Sequence, residues 1–154
     1  RCTDRPRGAS RRLSEERGEA MSKMSMKGRV IAAGEAEGEA LVSQGSLSLT
    51  YIDQDGVVVD HTSDLFQQNI RGKILVLPGL KGSALQEWSL VALKQQGLVP
   101  KGIIAVEADT RMVVASVFCE IPTVDKLDQD PLKVISTGDR VRINANEGVV
   151  EILN

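Results

Sequence analysis

The stretch 72-GKILVLPGLKGSALQEWSLVALKQQG-97 runs an apolar segment into a small-residue loop and then into helical spacing. "KILVL" has no polar interruption, which predicts a strand buried on both faces rather than one with a wet side. After Pro78, the "GLKGS" loop carries two glycines. Leu85, Trp88, Val91, Ala92 and Gln95 or Gln96 then recur three or four apart, and Gly97 supplies a stop. On this spacing Trp88 is expected in the core. Strand, loop and helix in succession predict an α/β domain.

The loop is also where chemistry is expected. A helix N-terminus leaves backbone N–H groups without intrahelical partners and favours anions. Lys81 adds a full positive charge, and Gly82 lets a ligand approach the backbone. Ser83 then stands at the rim of an anion-binding concavity suited to a carboxylate or phosphate. Ser83 followed by Gln86 also has capping-box spacing. The two roles are compatible, since a capping oxygen can face a ligand. The loop is neither a Walker A motif nor a dinucleotide fingerprint.

Outside this stretch short strands dominate. "GRVIAAG" and "GEALVS" read as β runs separated by a "GEAEGE" turn, and "TYIDQDGVVVDH" as a hairpin around "DQDG". "GIIAVEA" and "IPTVD" read as strands, with a helix-capable "DTRMVVASVF" between them. "STGDRVRINANEGVVEIL" reads as a terminal hairpin with one wet face. The expected architecture is a β-rich, partly barrel-like core with one or two helices. His61 is expected on a turn, Cys119 as a packed small hydrophobe, and Asp125 at a solvated strand end.

Composition excludes several function classes. The chain has 154 residues, enough for one domain with a real core, and a formal charge of -2. Near-neutrality and 3% aromatic residues give nucleic acid neither electrostatic nor stacking support. No apolar run reaches the roughly 20 residues that span a bilayer, which predicts no membrane partner. Two cysteines and one histidine cannot assemble a conventional zinc or iron–sulfur site, and free thiols point to a cytoplasmic setting. No metal ligands are expected on this chain.

Residues 1–20 carry six arginines and four acids with almost no large apolar side chains. Residues 1–26 are accordingly expected to be a disordered extension, with the true start at Met21, Met24 or Met26. The folded domain is expected over 27–154.

The order "KGRVIAAGEAEGEALVS", "DGVVVDH", "GKILVLP", "KGS", "GLVPKGIIAVEAD", "EIPTVD", "TGDRVRINANEGVVEI" resembles the small subunit, or swivel domain, of the aconitase X dehydratases. The resemblance spans Lys27 to Leu153. It implies a swivelling β/β/α fold and a large-subunit partner that carries an iron–sulfur cluster or iron. It also implies a hydro-lyase reaction on a hydroxy-carboxylate, 5-phosphomevalonate or cis-3-hydroxy-L-proline. The family's loop serine is the base that removes a proton from carbon. The matching residue is Ser83, with Lys81 and Gly82 as substrate-binding neighbours. Family members commonly read "GRGS" at this loop; here Leu80-Lys81 precede Gly82, which keeps a charge but loses the bidentate fork of arginine. Two other readings follow from the same likeness. One is a non-catalytic binding or regulatory subunit. The other is a phosphohistidine-type swivel carrier, which would need a histidine where this loop has Ser83.

Overall fold

The computed structural model describes residues 24–80 and 86–153, with side chains from residue 88 in the helix that begins at 86. Eight strands form a mixed sheet in the order β1-β8-β7-β3-β4-β5-β6-β2. They are β1 Met24–Lys27, β2 Arg29–Ala32, β3 Glu35–Val42, β4 Ile74–Leu77, β5 Gly102–Ala105, β6 Thr123–Asp125, β7 Arg140–Asn144 and β8 Val149–Ile152. Three α-helices accompany them: α1 Gln86–Gln95, α2 Thr110–Cys119 and α3 Pro131–Val134. Strands β3, β4, β5 and β6 run parallel, and α1 and α2 make the crossovers after β4 and β5.

The uninterrupted "ILVL" of β4 organises the layers. All four side chains are buried, and they alternate between two cores. Ile74 and Val76 face a cluster with Met26, Ile104, Val124, Val141 and Ile143. Leu75 and Leu77 face a cluster with Leu90, Leu93, Ile103 and Met112, under the helices. A strand with two apolar faces needs a cover on each side, and the terminal β-hairpin and the helices supply them. The result is the expected β/β/α arrangement. It is nearly closed like a barrel, because the edge strands β1 and β2 are joined by the single residue Gly28, whose N–H donates to Gly148 O at 2.8 Å.

Several expectations need correction. Met24–Lys27 is the first strand among the described residues and Met26 is packed; residues 1–23 of the expected extension lie outside the described residues. "GEAEGE" is no turn: Glu35–Val42 is one strand of 8 residues. Glu35, Glu37 and Glu39 occupy its exposed face, where Glu37 pairs with Arg140 at 3.1 Å and Glu39 with Lys73 at 2.9 Å. Cross-strand charge pairs hold glutamates in a strand that their intrinsic preference disfavours.

The hairpin expected around "DQDG" shrinks to isolated bridges, Ile52↔Val58 and Val57↔Asn69. Asp53 accepts from Asp55 N at 2.8 Å and Val57 N at 2.9 Å, and Asp60 accepts from Thr62 N at 2.9 Å. Side-chain acceptors thus claim N–H groups that a ladder would use.

The terminal hairpin is as expected, with Val141, Ile143, Val150 and Ile152 inside. Helix α3 adds to the expected one or two helices, and Asp130 followed by Pro131 is its start signal. In α1 the buried stripe is Leu90 and Leu93, not Trp88 and Ala92, and Trp88 is 65% exposed. Leu98 N–H returns to Leu93 O at 2.9 Å past Gly97 (φ 72), closing the helix. No helix among the described residues is long and apolar enough to cross a membrane.

Candidate active site

The parallel strands all end on one edge of the sheet, the place where α/β folds hold ligands. The segment leaving β4 is fastened there on both sides. On one side Leu47 N–H donates to Gly79 O at 3.2 Å, and Leu47 bridges Leu80 in parallel. On the other, Val106 N–H donates to Leu77 O at 3.1 Å and Glu107 N–H to Pro78 O at 3.4 Å. Lys81, Gly82 and Ser83 come next and lie outside the described residues, as does the Ser83–Gln86 cap; the chain resumes at Gln86, the start of α1. The described flanks are a fully buried strand that ends at the carboxyl edge and a helix that starts at Gln86.

Further along this edge the structure holds a polar link that the sequence did not announce. Asp125, at the end of β6, is completely buried rather than solvated. Its carboxylate accepts both arms of the Arg29 fork, Nε at 2.9 Å and Nη2 at 2.7 Å, and also Ala108 N–H at 2.8 Å. Arg29 is half-exposed at the start of β2. The hydrogen bond to Asp125 raises the Arg29 pKa further, against a smaller opposing effect of burial, and the Asp125 and Glu107 charges add to the rise. Arg29 and Asp125 are 96 positions apart, so only the β2–β6 pairing reveals that they meet.

Removing the Asp125 carboxylate tests this link. Because the half-exposed Arg29 can rehydrate, the main penalty is the orphaned buried N–H of Ala108. That costs about 1–3 kcal/mol. Asp125→Ala should lower Tm by roughly 3–10 °C in a thermal melt, and Asp125→Asn, which keeps an acceptor, should lose less. An unchanged Tm in Asp125→Ala would rule the link out as a stabilising one.

At the neighbouring start of α2, Asp109 caps the helix, accepting from Met112 N at 3.0 Å and from Arg111 Nη2 at 2.9 Å. Burial pushes the Asp109 carboxyl up, but these donors and the Arg111 charge outweigh it and leave it below the ordinary carboxylate value.

The remaining candidates stand apart from the edge. His61 is exposed on a turn, its ring 4.4 Å from that of Phe66. Cys119 is buried as expected, and that burial raises its thiol pKa against the weaker pull of Lys94. Among the described residues no group of three or more His, Cys, Asp or Glu could hold a metal ion.

A model of the aconitase X swivel domain matches residues 25–152. The chain belongs to this family. Its relatives include the phosphomevalonate dehydratase small subunit of Thermococcus gammatolerans, 44% identical over 133 residues, covering 85% of this chain and 99% of that one. The protein of the same name from Methanosarcina mazei is 38% identical over 135 residues, covering 86% and 94%. Among solved structures, Thermococcus kodakaraensis aconitase X in its holo-form superposes with a TM-score of 0.80 at 41% identity, covering 85% of this chain and 99% of that one. The β/β/α layering and the serine-bearing loop after β4 are thus read within the swivel-domain family.

Proposed function

We propose that this chain is the small subunit of a phosphomevalonate dehydratase and that its carboxyl edge forms one wall of a cleft completed by a large subunit. The observation that carries the reading is the 44% identity to a phosphomevalonate dehydratase small subunit along 99% of that protein's length. The relatives' name favours a phosphorylated hydroxy-acid over cis-3-hydroxy-L-proline as substrate. Within the cleft, Ser83 is the proton acceptor at the substrate carbon, and Lys81 with the backbone at Gly82 binds the substrate's negative charge. The start of α1 stabilises the Ser83 alkoxide that takes this proton, because a helix N-terminus favours negative charge.

The described donors of this chain do not fit an iron–sulfur cluster. Cys119 is buried in the core and His61 lies against Phe66 on a turn. The cluster or iron that the family resemblance implies belongs, in this reading, to the large subunit. The position of His61 offers a phosphohistidine carrier no support.

Reconstitution tests the proposal. The chain alone should be inactive towards 5-phosphomevalonate, and the chain mixed with its large subunit should release water from it. A mixed complex that binds the substrate without dehydrating it would favour the non-catalytic, regulatory reading instead.

A further inference from the structure

The chain has one tryptophan and two phenylalanines, and the fold leaves Trp88 65% and Phe118 70% exposed. They are not scattered. Trp88 and Val91 of α1 and Val114 and Phe118 of α2 line one open groove of about 120 Å³ between the helices. The apolar surface continues over Val113 and Val117, along a second depression of about 380 Å³. The opposite faces of the same helices bury Leu90, Leu93 and Met112, so these helices are apolar on both sides. A helix needs one apolar face to dock on its own sheet; a second contiguous one, holding an aromatic pair, marks an interface.

The location says what covers it. Trp88 sits in the first turn of α1, five positions after Ser83. A subunit that closes over the Ser83 loop has to reach that turn. A second copy of this chain seated on the groove would stand in its way. We infer that the α1–α2 face is where the large subunit docks, by an apolar surface that receives Trp88 and Phe118. The inference rests on reading this chain as a small subunit.

The single tryptophan makes the test direct. The chain is labelled with 5-fluorotryptophan, giving one fluorine resonance, and unlabelled large subunit is added while dehydration of 5-phosphomevalonate is followed. The resonance should shift and lose its sensitivity to H2O/D2O exchange as the ring leaves water. Phe118→Glu should weaken association at least about 30-fold, with its circular dichroism and Tm unchanged because the side chain is exposed. An active complex with an unmoved resonance, or equal affinity for Phe118→Glu, would overturn the docking face and leave the subunit reading intact. A resonance that moves with the concentration of the chain alone would assign the face to self-association, against the proposal. No association of the parent chain would bring down both readings together.

Discussion

Ser83→Ala should lower turnover of the assembled dehydratase by about 100-fold or more while leaving the apparent affinity for substrate little changed. Two features of the chain lead to that expectation. The loop follows a strand whose four residues are all buried and whose exit at the carboxyl edge is tied to neighbours on both sides. It then enters a helix of 10 residues, long enough to present a full set of unpaired N–H groups and an aligned dipole. Alanine removes only the hydroxyl. With Lys81 and the backbone as the proposed anion site, the loss should belong to the proton-transfer step and not to binding. Steady-state rates on the reconstituted complex check this. A raised KM with unchanged kcat would make Ser83 a binding residue, and unchanged kinetics would leave it as a helix cap.

The second large effect is on stability. Gly28→Ala should destabilise the domain by about 3 kcal/mol, lowering Tm by roughly 6–12 °C. Gly28 is the only residue between β1 and β2, the strands at opposite ends of the sheet order, and a Cβ there would press on Asp125 O and lie 2.8 Å from Leu127 Cδ2. The leucine can turn away; the backbone carbonyl cannot, since β6 is held in register by β5 and β2. Gly148 meets the same seam from the other side, where a Cβ would come within 2.5 Å of Gly28 O. The closure of the barrel therefore rests on backbone contact at two glycines. The consequence reaches the candidate site, because Gly28 precedes Arg29 and Asp125 is the residue it touches. A thermal melt of Gly28→Ala within about 2 °C of the parent, roughly half a kcal/mol, would mean the seam can open without penalty.

Local pattern made some of this architecture legible and left the rest dark. "ILVL" announced a strand with two apolar faces, and the alternation of Val141 and Ile143 with arginines announced a wet-faced hairpin; both signals depend only on period. The 35–39 segment reads as a turn because glutamate and glycine disfavour strands. What makes it a strand is its pairing with β7, about a hundred residues away, as the Glu37–Arg140 separation of 103 shows. Trp88 misled for the opposite reason. Helical spacing identifies an apolar residue but not which of two apolar faces meets the sheet, and in α1 the inner face went to Leu90 and Leu93. At the candidate site, Lys81, Gly82 and Ser83 suggest a chemistry for a loop that lies outside the described residues. The Arg29–Asp125 link could not be read from the sequence, because neither residue carries a local mark of its partner.

The most direct measurement is a structure of this chain with its large subunit and 5-phosphomevalonate bound. The Ser83 Oγ should stand about 3–3.5 Å from the carbon that loses its proton, with the start of α1 behind it. A Ser83 side chain folded back onto the helix start, with no substrate atom in reach, would contradict the account.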